Sequence, residues 1–179
     1  MNEKKIFFAL LPDEFTKSEL VKQIAHIRSF SSHTLLKWVP DENLHLTLHF
    51  IGQADSSKTQ CLFLQAANVN LEPFEFELNC TGLFRKPGAF WIGTNTISQN
   101  LLSLQRQITA TIPNCGITPK IETFIPHVTI ARKFKNNYKD FTIKPVKWPV
   151  KDFYLMESVT TKTGVRYEPL EKFEKLATS

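Results

Sequence analysis

Two short segments of the 179-residue chain carry the same arrangement of reactive side chains, His45-Leu46-Thr47 and His127-Val128-Thr129. Apolar neighbours frame both: Leu44, Leu46 and Leu48 in the first, Val128 and Ile130 in the second. That alternation is the signature of a half-buried strand, so each His and Thr stand on one face, roughly 7 Å apart, opposite the apolar face. An imidazole titrates near neutrality, so one ring can be neutral while its counterpart is charged. In-line displacement at phosphorus asks for that combination, a base on the attacking oxygen and an acid on the departing one. The threonine hydroxyls would donate to the non-bridging oxygens, where transition-state charge collects. Two such pairs facing each other make a cage of two acid–base groups and two donors. Neither segment carries the clustered His, Cys or carboxylate ligands of a metal site, so the chemistry is expected to need no metal and no other cofactor.

Several further side chains could serve such a cage. Arg132 follows the second segment directly, and Arg166 lies near the C-terminus; both are candidate cations. By strict alternation His49 shares a face with His45, but ~13 Å along the strand is too far for both to meet one phosphate or metal. It is expected at the rim. His26 and His33 have no partners in sequence and are expected on the surface. Phe90 and Trp91 are either hairpin core or a stacking platform, with Phe124 and Tyr167 as further stacking candidates.

The elements that must position these residues can be read from the hydrophobic pattern. Strands are expected over residues 6–11, 44–51, 74–80, Ala89–Gly93 and 125–131, with a final pair over 150–159 and 165–170. Residues 74–80 alternate cleanly and read as one half-exposed strand. Pro87-Gly88 supplies the turn into Ala89–Gly93. Helical spacing covers residues 13–29 (Leu20, Val21, Ile24, Ile27), more weakly 57–67, and the stretch from Ile97 to Ile112, which Pro113 and Gly116 stop. A weak internal repeat runs through them: Gln23-Ile24 recurs as Gln107-Ile108, and His45 recurs as His127 82 residues on. Strand, helix, H-x-T strand therefore occurs twice. Two such halves are expected to pack about a pseudo-twofold axis with equivalent strands face to face, in an α+β fold.

Composition bounds the rest. The chain is 42% hydrophobic, with 15 Phe and 3 Trp, enough for a sizeable core. The formal charge is +5, and residues 132–151 hold seven basic side chains against one acid, Asp140, a segment that would attract a polyanion. Three cysteines without a C-x-x-C pair suggest neither a zinc cage nor a disulfide framework. No stretch approaches a membrane span. A soluble, cytoplasmic protein is expected.

The segments NLHLTLHFIG and FIPHVTIAR resemble the paired signatures of the 2H phosphoesterase superfamily, in particular its 2′-5′ RNA ligase branch, the RNA 2′,3′-cyclic phosphodiesterases. The resemblance extends to KIFFALLP, LFRKPGAFWIG and GVRYEPL, and so spans the chain. It implies one two-lobed, pseudo-symmetric α+β domain over 1–179, helices outside and a central cleft. It further implies His45 as general acid, His127 as general base, Thr47 and Thr129 on phosphate, and Arg132 and Arg166 as matching basic positions, Arg132 on phosphate; beside these, Arg166, Phe124, Tyr167 and His49 are read from the residues as candidate substrate contacts. The implied partner is RNA ending in a 2′,3′-cyclic phosphate, bound by a monomer. Two positions depart from the family pattern, His49 and Gln53. Rival expectations are action on 2′-5′-linked oligonucleotides or small cyclic nucleotides, or an RNA-binding module without turnover.

Overall fold

The computed structural model describes residues 3–30, 36–134, 141–162 and 164–175; His33, Thr163 and the middle of the basic segment lie outside them. Short polar side chains set where the helices begin. Asp13 Oδ1 accepts from Thr16 N at 2.8 Å to start α1 (Glu14–Ser29), and Asp55 Oδ1 accepts from Lys58 N at 2.8 Å to start α2 (Ser56–Ala66). Ser98 Oγ does the same for α3 (Gln99–Thr111), taking Leu101 N at 3.1 Å. Each cap satisfies a donor that has no partner inside its helix. Leu20, Ile24 and Ile27 of α1 and Leu101, Leu104 and Ile108 of α3 are the buried stripes that the spacing indicates.

Among the described residues the strands are, in chain order, β1 (Lys4–Leu10), β2 (Lys37–Trp38), β3 (Leu46–Ala54), β4 (Phe74–Leu78), β5 (Cys80–Phe84), β6 (Ala89–Gly93), β7 (His127–Arg132), β8 (Val146–Val150), β9 (Asp152–Thr161) and β10 (Gly164–Glu174). The main sheet is antiparallel, ordered β10-β9-β1-β3-β7-β6-β5, with β2 added to β7; β4 and β8 pair separately. The fold is α+β; a large apolar core, including Phe8, Leu46, Val128 and Trp148, runs beneath both halves, and a smaller cluster of Phe7, Ala9 and Met156 lies apart from it.

The repeat is present at the level of strand register. Ala9 pairs with Thr47 and Leu10 with Leu46; 82 residues on, Trp91 pairs with Thr129 and Ile92 with Val128. The two copies meet where β3 pairs with β7 at Leu46↔Val128. Equivalent strands therefore lie side by side in one sheet, which corrects the face-to-face expectation. The apolar sides of both H-x-T segments then share one core.

Other expectations also need correction. The run over 74–80 is two strands, not one: Asn79 breaks it, its N–H donating to Gly93 O (2.8 Å) and its Oδ1 accepting from Asn95 N (3.0 Å), so that β4 and β5 enter different sheets. Residues 146–150 form a strand of their own, β8. The hairpin turn at Gly88 is required twice over, by a φ of 76° and because a Cβ there would stand 2.9 Å from Phe134 O. Cys61 and Cys115 form a disulfide between α2 and the turn after α3, and Cys80 takes no part in it. A pairing across 54 residues has no spacing signature; it arises because α2 packs on that turn, where Asn114 Nδ2 also donates to Gln65 Oε1 at 2.7 Å. The described ends of the basic segment fall on different strands. Arg132 ends β7, whereas Lys147 on β8 faces Glu75 at 3.5 Å and its carbonyl accepts from Thr16 on α1.

Candidate active site

His45 stands one residue before β3 and His127 opens β7, so the β3–β7 seam brings both to the same place in the sheet. Extending the antiparallel register from Leu46↔Val128 by one residue each way sets Thr47 beside His127 and His45 beside Thr129. Both imidazoles are anchored in the same manner. His45 Nδ1 donates to Asn43 O at 2.7 Å and His127 Nδ1 donates to Ile125 O at 2.7 Å, each to the carbonyl two residues upstream. A carbonyl has no proton to give, so Nδ1 carries it in both rings and both Nε2 atoms are left for chemistry.

The surroundings of the two rings differ. His45 is packed edge-on by Tyr167 at 4.6 Å and tilted against Phe7 at 5.1 Å. Asn43, whose carbonyl holds His45, also ties down β10: its amide donates to Val165 O (2.8 Å) and accepts from Tyr167 N (3.2 Å). Nothing in the sequence around Asn43 marks this, because the partners are more than 120 residues away. His127 meets Phe84 edge-on at 4.8 Å and Trp91 at 6.0 Å. The indole of Trp91 lies so close over Gly82 that a Cβ there would fall 2.0 Å from the ring. Phe90 is core; Trp91 is the cleft-side member of the pair.

Burial lowers the His45 pKa to about 4, with His127 and Arg132 adding repulsion against a second positive charge and the bond to Asn43 opposing. His127 is also lowered, first by burial and then by Arg132, with the bond to Ile125 opposing. Without an anion between them both rings favour the neutral form. An anion placed between the rings would supply the negative charge that lets one of them protonate.

Of the other sequence candidates, Tyr167 reaches His45, and Arg132 bears electrostatically on both imidazoles. Arg166 is held by an ion pair with Glu168 on its own strand. Phe124 lines a groove of about 450 Å³ that opens beside Thr47 and His127. His26 is exposed, edge-on to Phe30. His49 does not share the face of His45: between Phe8↔His49 and Ala9↔Thr47, β3 carries one extra residue, Leu48. That bulge reverses the alternation. His49 turns into α3, where Nδ1 meets Thr109 Oγ1 at 3.0 Å, and Phe50 takes the exposed position. Among the described residues no group of three or more His, Cys, Asp or Glu is placed to hold a metal ion, and no helix is long and apolar enough to cross a membrane.

The two halves each place a backbone-anchored histidine and a threonine beside the β3–β7 seam, a candidate site with internal symmetry. The chain belongs to the 2′-5′ RNA ligase superfamily, whose model matches residues 16–161. It is 28% identical over 180 residues to the RNA 2′,3′-cyclic phosphodiesterase of Thermotoga maritima, covering 93% of this chain and 92% of that protein. It is 28% identical to the one from Aeropyrum pernix, covering 84% and 94%. Among solved structures, E. coli LigT complexed with 3′-AMP superposes with a TM-score of 0.81 at 25% identity, covering 97% of this chain and 98% of that one.

Proposed function

We propose that the protein hydrolyses 2′,3′-cyclic phosphate ends of RNA to 2′-phosphomonoesters, working as a single two-lobed unit over 1–179. The matched Nδ1 anchors carry this reading. Binding alone needs donors to phosphate, whereas two rings with the same fixed tautomer and free Nε2 atoms suit proton transfer in both directions. Neutral His127 takes a proton from water as its oxygen attacks phosphorus; the bond to O3′ breaks, and protonated His45 gives O3′ its proton. Thr47 and Thr129 donate to the non-bridging oxygens, with Arg132 as the nearby cation. A 5′-hydroxyl in place of that water would run the reverse, sealing reaction.

The names of the relatives and the nucleotide held by LigT support an RNA end as partner. The reading also expects a monomer acting in the cytoplasm. The test is turnover of an RNA ending in a 2′,3′-cyclic phosphate, with the product end identified after exhaustive chelation by EDTA. A 2′-phosphate product in EDTA is expected. Loss of turnover on chelation, restored by a divalent cation, overturns the two-histidine chemistry; tight binding without turnover leaves an RNA-binding module.

A further inference from the structure

The groove beside His127 holds a chain of hydrogen bonds whose proton directions can be worked out. Thr109 Oγ1 lies 2.9 Å from the carbonyl of Gln105, one turn back in α3, and gives its only proton there. The same oxygen lies 3.0 Å from His49 Nδ1 and 3.0 Å from Gln105 Nε2, so it must accept from both. His49 is thereby fixed with its proton on Nδ1 and a lone pair on Nε2, and the Gln105 amide is fixed with Oε1 turned away from Thr109. Burial lowers the His49 pKa despite the pull of Glu122, which keeps the ring neutral.

Both residues line the groove. Neither freed acceptor has a partner among the described residues, and neither is sealed in the core, where Trp91 Nε1 is the single unpartnered buried side-chain atom found among them. The groove therefore presents two neutral acceptors, with the Glu122 carboxylate beside them and the apolar rings of Phe50, Phe84 and Phe124 along its walls. Its size, about 450 Å³, suits one nucleoside. The groove touches Thr47 of the first motif and His127 of the second, so an occupant reaches the space between both.

Resting on the phosphodiesterase reading, we infer that this groove seats the base of the terminal nucleoside and selects a base whose edge donates an exocyclic amine. His49 Nε2 and Gln105 Oε1 receive the amine protons; a base that offers only a carbonyl oxygen there meets an acceptor with an acceptor. A phosphate-only site would be indifferent to the base.

The test compares 2′,3′-cyclic AMP with the 2′,3′-cyclic phosphate of purine riboside, which lacks the amine and is otherwise the same. Wild type is expected to favour the amino base about tenfold in kcat/KM, the size of one hydrogen bond (about 1.4 kcal/mol). Gln105→Leu and His49→Leu are expected to erase that preference, bringing the ratio of kcat/KM for the two substrates close to one. Gln105 is half exposed on α3, so its variant keeps the question open to test should His49→Leu not fold. Calorimetric binding of the two 2′-monophosphates asks the same question without turnover. Equal kcat/KM and equal binding for the two bases overturn the inference and leave the phosphodiesterase reading standing. Absence of turnover with a surviving binding preference overturns that reading and keeps the groove's selectivity.

Discussion

The half that carries His45 and the half that carries His127 share a register, an anchor and a threonine, yet they enclose their imidazoles differently. Ala9 stands opposite Thr47 where Trp91 stands opposite Thr129, and His45 is walled by Tyr167 and Phe7 where His127 adjoins an open groove. Backbone geometry was thus repeated while the walls were not. The difference teaches that symmetry supplies two equivalent acid–base groups in unlike surroundings: burial resists the proton on His45, so its acid role depends on the negative charge of a bound phosphate.

The strongest way to break the comparison is to remove one ring at a time. His45→Ala and His127→Ala are each expected to lower kcat by about 10²- to 10⁴-fold, and the double variant by little more, because the pair acts as a unit. A nitrophenyl ester, whose departing oxygen needs no proton, should then partly rescue His45→Ala and leave His127→Ala inactive. The opposite pattern would exchange acid and base.

A milder intervention unwraps His45. The folded ring resists protonation down to pH about 4, whereas an unfolded histidine takes its proton near the ordinary 6.5. The unfolded chain therefore binds more protons in that window, and His45 makes stability fall as pH drops from about 6.5 toward 4. Tyr167→Ala should admit water, move the His45 titration upward in an NMR titration, and shrink the difference between urea midpoints at pH 7.5 and 4.5. An unmoved titration would mean that Tyr167 does not contribute the burial. With both rings lowered in the free enzyme, the kcat/KM bell should sit on the acid side of pH 6.5, and the kcat bell should move upward once a phosphate is bound.

The smallest expected effect on activity comes from the side remote from both rings. Reducing Cys61–Cys115 releases a crosslink between residues 54 apart, worth about 4 kcal/mol in the chain-entropy account. The melting temperature should fall while kcat stays within about twofold. A large loss of activity would show that α2 and the turn after α3 help shape the groove.

Much of this architecture was legible in the residues, because it rests on local pattern. The H-x-T strands, the Pro87-Gly88 turn and the stripes on α1 and α3 each follow from spacing. What escaped depended on distant partners. Alternation along 74–80 is unbroken as text, and only the bonds from Asn79 to Gly93 and Asn95 divide it between two sheets. His49 obeys the same alternation until Leu48 is squeezed out of register against β1, which no side-chain pattern announces. Asn43 and Gln105 act through atoms that only the fold brings together, and the cysteine pair likewise has meaning only once α2 meets the turn that follows α3.

The seam between β3 and β7, with Leu46↔Val128 as its ladder pair, also has a mechanical meaning. Each imidazole rides on its own half, so a rotation of one half against the other about this seam would move the two rings apart or together. For an arm of roughly 7 Å, a rotation of about 10° shifts a ring tip by about 1 Å, a displacement that can change a rate about a hundredfold. The shared core under Leu46 and Val128 therefore bears on the spacing of the two imidazoles.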